Sequence, residues 1–253
     1  MTTIEEVDQI VGGVPYMTLD QARILQRFWK SAPEGDALEL GFAYGKGSAY
    51  LGAIASQLGR RVTCIDNLTA HDRNPLAEET VRLAGVADNV DLVFAENGYL
   101  WWMKQQLEAQ VDCRKFSLIY LDGAHDWFVD GFATLLLDRF IVAGGVLILD
   151  DLNWTMASSN APDIVARRAA LTEDLVNTQQ IRSVWELLLQ RDRTWGEFEE
   201  IGDWGIARKL SAADLRPSVE RVVVRPTLHD VVSAVARRFR RGDARTGTHD
   251  WNG

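Results

Sequence analysis

The chain has 253 residues, 47% hydrophobic and 25% charged, with a formal net charge of -9. This is the composition of an ordinary globular protein long enough to bury a sizeable core. The acidic balance argues against general affinity for nucleic-acid phosphates, and no apolar run approaches the roughly 20 residues of a membrane-spanning helix. The polar stretch from Met1 to Gln9 is not a signal peptide, and Cys64 and Cys113, distant and without metal spacing, fit a reducing cytoplasm.

In chain order, Thr18-Leu19-Asp20-Gln21 reads as a capping box opening a helix that runs to about Lys30. Short apolar runs follow at 37–40, 62–65, 90–94, 116–121 and 146–149. Between them, 48–58, 76–83, 98–109 and 128–140 have helical spacing. Apolar runs that are continuous rather than alternating predict strands covered on both faces, hence a mostly parallel sheet. Their alternation with helices predicts a doubly wound α/β fold. Further helical stretches open at Asn160-Ala161-Pro162 and over 181–189, and 194–201 with 204–210 reads as an antiparallel pair joined by Gly202-Asp203. That makes seven strands. A last helix carries an apolar stripe of Val232, Val235 and Phe239, a candidate contact for homo-oligomers, among arginines from Arg221 to Arg245. Those arginines read as a solvated face or a subunit contact, with an anionic partner as the sharper alternative. The expected division is an N-terminal helical cap over 1–35, an α/β domain over 36–210, and a C-terminal helical extension with a flexible tail over 211–253.

The residues suited to chemistry follow the strand ends. The first strand runs through Glu39 and Leu40 into Gly41-Phe42-Ala43-Tyr44-Gly45-Lys46-Gly47-Ser48. Three glycines there let the backbone turn sharply and approach a ligand, and Ser48 is placed to cap the next helix. The glycine order is not that of a dinucleotide site, and Glu39 suits a cationic ligand better than a diphosphate. Asp66-Asn67 ends the second strand, where an acid can accept hydrogen bonds from two ribose hydroxyls. Together these signals point to an adenosine-containing cofactor. The fourth and fifth strands end in Asp122-Gly123-Ala124-His125-Asp126 and Asp150-Asp151. If those strands are neighbours, Asp122, Asp150 and Asp151 form an oxygen-rich cluster for a hard divalent cation such as Mg2+. His125 reads as a base or a nitrogen ligand. In the plainer reading Asp126 caps the following helix and His125 is merely hydrogen-bonded.

On these motifs, 37–154 resembles a class I S-adenosylmethionine (AdoMet)-dependent methyltransferase, and is similar to the group with an Asp-Gly-x-His turn after strand four. That group includes small-molecule O-methyltransferases. The resemblance implies that Glu39, Gly41 and Gly45 line the methionine and ribose side, that Asp66 holds the ribose, and that Glu96 and Asn97 lie near the adenine. Tyr44, Gly47, Ser48, Asn67 and Asp122 complete the expected cofactor site. Metal-dependent members bind Mg2+ through positions matched by Asp122, Asp150 and Asp151. Asp151 stands where catechol-type enzymes carry Asn, and His125 replaces their lysine base, which argues against a catechol substrate. The implied activity is methyl transfer to a hydroxyl of a small molecule, with Asp122 and His125 as catalytic residues. Trp101, Trp102, Trp127 and Trp154 are candidates to wall the acceptor. The rivals are a nicotinamide-dependent oxidoreductase, a metal-dependent hydroxylase-like enzyme on the same fold, and a non-catalytic AdoMet binder.

Overall fold

Five apolar runs become five parallel strands: β1 (Ala37–Leu40), β2 (Val62–Asn67), β3 (Val90–Ala95), β4 (Phe116–Leu121) and β5 (Ile141–Leu149). A computed structural model describes residues 2–109 and 113–215 of the chain. In it β6 (Trp195–Ile201) and β7 (Trp204–Lys209) complete the sheet, β7 running antiparallel to β5 and to β6. The strand order is β3-β2-β1-β4-β5-β7-β6. The order reverses between β1 and β4, and at such a switch point the carboxyl ends of the strands open a crevice. The expected doubly wound fold is therefore the observed one.

Helices cover both faces. On one face lie α1 (Ile4–Val11), α2 (Leu19–Ser31), α3 (Lys46–Leu58) and α4 (Ala77–Leu83), whose Val7, Leu25, Trp29, Tyr50 and Ile54 pack with Ala37, Leu118 and Tyr120 of the sheet. On the other lie α5 (Gly98–Ala109), α6 (Val129–Leu136) and α9 (Gln180–Val184), reached after two short helices, α7 (Pro162–Arg168) and α8 (Glu173–Asn177). Met103, Ala133 and Val184 there meet Leu38, Ile119 and Leu147. Burial on both sides explains why the strands read as unbroken apolar runs.

Several boundaries moved. The helix α1 was not expected, although Thr3 and Glu6 form a capping box and Ile4, Val7 and Val11 share its buried face. The strand β5 begins five residues early because Gly144, at φ 78°, and Gly145 continue a run that reads as broken. The 128–140 stretch splits into α6 and a 3-10 turn over Leu137–Arg139, and 181–189 into α9 and a π-helical turn over Trp185–Leu189. Among the described residues no helix is long and apolar enough to cross a membrane. The stripe of Val232, Val235 and Phe239 and the arginines from Arg221 to Arg245 lie outside the described residues.

Candidate active site

Three main-chain bonds set the tips of β2, β1, β4 and β5 level. Gly41 N donates to Ile65 O at 2.8 Å, Asp122 N to Leu40 O at 2.9 Å, and Asp150 N to Leu121 O at 3.0 Å. Asp66, Asp122 and Asp150 thus leave the same edge. Gly41 holds φ 91°, and a Cβ there would lie 1.9 Å from the carbonyl oxygen of Asp122. Only glycine fits between the two turns.

A narrow cleft opens at this edge, lined by Glu39, Gly41, Phe42, Ala43, Tyr44, Lys46, Gly47 and Asp122. Pro15, Tyr16 and Met17, from the link between α1 and α2, roof it. Buried Lys46 anchors that link by donating from Nζ to Gly12 O at 2.8 Å. Nothing in the spacing of the N-terminal residues announces this roof.

Glu39 is 1% exposed. Burial pushes its carboxyl up to about 8, against hydrogen bonds from Ser48 and Cys64 that favour the charged form. Ser48 does not cap α3, as expected from sequence; Gly45 stands at the N-cap with φ 77°, and Ser48 Oγ donates to Glu39 instead. Asp66 Oδ2 accepts from Phe42 N at 2.9 Å and Ala43 N at 2.8 Å, while Oδ1 accepts from Asn67 N at 2.7 Å. The carboxylate therefore braces the glycine-rich loop. Asn67 accepts from Thr69 N, starting a 3-10 turn over Leu68–Asp72. Glu96 and Asn97 lie exposed in the β3–α5 turn and, like Gly45, Ser48, Asp66 and Asn67, do not line the cleft.

Beside the cleft, His125 Nε2 stands 3.1 Å from Asp122 Oδ1 and 2.8 Å from Asp151 Oδ2. One ligand atom from each of these three residues lies within 4.8 Å of the others. Burial opposes a charge on His125, but hydrogen bonds and charge from both aspartates outweigh it and hold the ring well above its usual 6.5. Asp150, expected in the metal set, turns elsewhere. Its Oδ1 accepts from Asp151 N at 2.6 Å and its Oδ2 from the Tyr120 hydroxyl, which also lies 3.2 Å from Asp122 Oδ2. Burial, reinforced by the charges of Asp122 and Asp151, pushes Asp150 up to about 8. Sequence reasoning missed Tyr120, which looks like any strand aromatic.

The turn bearing His125 is firmly supported. Tyr99 donates to buried Asp130 and accepts from Ala124 N at 3.1 Å. Asp126 does cap the next helix, accepting from Val129 N at 2.7 Å, and also binds Arg167 at 3.2 Å. Of the four tryptophans, Trp154 stands 5.2 Å from the His125 ring. Trp102 packs on Phe140, Trp127 packs into the core, and Trp101 lies exposed under Lys104.

With this geometry in hand, residues 38–152 match the model of a family described as a methyltransferase domain. No curated protein matches the chain in sequence. Among solved structures, the chain is similar to the O-methyltransferase from Bacillus cereus in complex with SAH, at 20% identity over 82% of this chain and 90% of that one, TM-score 0.56. It is also similar to the O-methyltransferase TomG from Streptomyces achromogenes, involved in tomaymycin synthesis and solved with SAM, at 17% identity over 82% and 89%, TM-score 0.55. SAH-bound PaMTH1 from Podospora anserina aligns at 14% identity over 82% and 87%, TM-score 0.57. Similarity at these identities shows the fold, that of class I AdoMet-dependent methyltransferases. The matched stretch runs from β1 to just beyond β5 and carries every strand tip of the site.

Proposed function

We propose that this chain is a methyltransferase that uses AdoMet to methylate a hydroxyl of a small molecule, with a divalent cation, Mg2+ in the sequence reading, assisting loss of the hydroxyl proton. The observation that carries this reading is the double membership of Asp122, which lines the cleft and also joins His125 and Asp151 in the cluster. A cofactor in the cleft and an acceptor at the cluster would share a boundary, as in-line transfer demands.

Bound AdoMet would supply an activated methyl on a sulfonium, and a bound cation would supply Lewis acidity toward the acceptor oxygen. The donor set fits a divalent cation: two carboxylate oxygens and one imidazole nitrogen from Asp122, Asp151 and His125. Glu39, buried behind Gly47, is the counter-charge for the cofactor's ammonium group and would lose its proton on binding. Asp66 is the ribose partner in the sequence reading; three backbone donors leave about one of its four acceptor positions free, enough for one ribose hydroxyl. The Pro15–Tyr16–Met17 roof limits water at the cleft. In the sequence reading His125 takes the acceptor's proton. With Nε2 already between two carboxylates, it suits holding a proton or a cation at that atom better than abstracting one.

The division at about residues 35 and 210 and a cytoplasmic location belong to the same proposal. Titration of the protein with AdoMet, with and without Mg2+ and against NADH, tests it. Micromolar AdoMet binding without NADH binding, followed by methylation in a screen of hydroxyl-bearing acceptors, is expected; absence of AdoMet binding overturns it. A hydroxylase-like reaction is the second reading, favoured by the histidine in the cluster, a ligand suited to iron. Hydroxylated product formed with iron, oxygen and an added two-electron reductant, with no methyl transfer, would select it.

A further inference from the structure

We propose that the outer face of α6 is a surface on which a second copy of this chain docks, α6 against α6 about a two-fold axis, with Phe128, Phe132 and Leu135 at its centre. This contact is distinct from the Val232 stripe read in the sequence, and it does not depend on which reaction the cleft carries out.

The face is apolar and open. Phe128, Phe132 and Leu135 recur at helical spacing, so they stand on one side of the helix. They are 67%, 54% and 57% exposed, whereas Gly131, Ala133 and Thr134 of the same helix are buried. Trp101 on α5 and Leu187 on the π-helical turn, elements that pack against α6, are 43% and 42% exposed. A whole aromatic side chain offers about 200 Å2 and leucine slightly less, so these five leave about 500 Å2 of apolar surface in water. Two copies face to face would bury about 1,000 Å2 before any flanking atom is counted, the area at which a specific protein contact becomes stable.

Charge selects the second copy over other occupants. The chain carries a net charge of -9, so copies repel unless they meet through a neutral surface. The helix α6 supplies one: its single ionisable residue, Asp130, is 1% exposed and accepts from the Tyr99 hydroxyl. At its borders Lys104 is paired with Glu108, and Asp138 with Lys209. A partner recognised by charge finds nothing on this face to read, and the net charge disfavours an anionic membrane. An isologous contact needs only apolar ridges, and side chains three and four apart supply them, packing helices at about 8–10 Å between axes. The face is also tied to the His125 turn, since Asp126 and Asp130 bond its backbone and that of the first turn of α6. A copy seated there would buttress that turn from outside.

Sedimentation velocity of the full chain between about 1 and 100 µM is the test, with a dimer of micromolar Kd expected. Phe132→Glu combined with Leu135→Glu should weaken association by at least about 100-fold, because each copy then buries carboxylates against their own mates. The wild-type Tm should rise with protein concentration and that of the double variant should not. Circular dichroism reports folding of the variants. Phe132→Cys should be joined to its mate by a short bismaleimide, and Asp20→Cys, exposed on α2, should not. A wild type that is monomeric at about 100 µM, a dimer undiminished in the double variant, or cross-linking no better at 132 than at 20 overturns the proposal.

Discussion

His125 and Asp151 meet with Nε2 2.8 Å from Oδ2, and both hold left-handed backbones, at φ 55° and 59°. They sit on different turns, one after β4 and one after β5, so two locally unfavourable conformations converge on one point. Such conformations cost of order 1–3 kcal/mol each and persist where the surroundings enforce them. Here Tyr99, Asp130 and Asp126 enforce the first, and the Asp150 carboxylate accepting from Asp151 N enforces the second.

Asp122→Asn should damage both compartments. Methyl transfer should fall by at least about 100-fold, because the substitution removes charge beside the reacting groups. AdoMet affinity should weaken as well. A turnover assay and a calorimetric titration of the same variant check this; loss of activity with unchanged affinity for AdoMet and for Mg2+ would confine Asp122 to chemistry alone.

Glu39 sets a pH dependence with a definite sign. Its folded-state pKa of about 8 lies above a carboxyl's ordinary 4.5, so the folded protein keeps a proton that the unfolded chain has lost. The resulting stability is complete below about 4.5 and disappears as pH rises to about 8. Glu39→Gln should therefore flatten the fall in Tm across that window. AdoMet binding to the wild type near pH 7 should release a proton, seen as a heat that varies with the ionisation enthalpy of the buffer.

Gly41→Ala should destabilise the fold by about 2 kcal/mol or more, since the new Cβ meets main chain rather than a yielding side chain. Denaturant unfolding measures the loss. Gly59→Ala, also at positive φ (65°) but with open space around its Cβ, is the control that separates strain from collision.

Lys46→Met removes the donor that ties Gly12 O to the rim of the cleft. The roof over Pro15–Met17 should loosen, and AdoMet should dissociate several-fold faster with little change in the association rate. Stopped-flow displacement reads both rates. A cost of about 1 kcal/mol in stability is expected from the lost hydrogen bond.

Much of this site could be read before the fold was known, and the misses share a cause. The acids after β4 and β5 were placed on one edge because strand ends follow from apolar runs, which burial on both faces dictates. Which acid faces which neighbour does not follow from spacing. His125 returns to Asp122 only because its backbone takes a left-handed turn, and Asp150 withdraws only because a hydroxyl stands two residues before Asp122 on the neighbouring strand. Ser48 was read as a cap from its position after glycines, whereas a buried carboxyl nine residues earlier claims it. The helix α1 was overlooked because its acidic turn resembles a solvated leader, though Ile4, Val7 and Val11 carry the helical period.

Asp122 stands on the wall between the cofactor cleft and the cation cluster, and thermodynamics attaches a condition to that position. A carboxylate touching both chambers lets each occupant feel the other, and such influence is reciprocal. Whatever factor a cation applies to the affinity for AdoMet, AdoMet must apply to the affinity for the cation. The protein would then load its two ligands as a linked pair, and the emptied cofactor product would leave with a different grip on the metal from the one the substrate had.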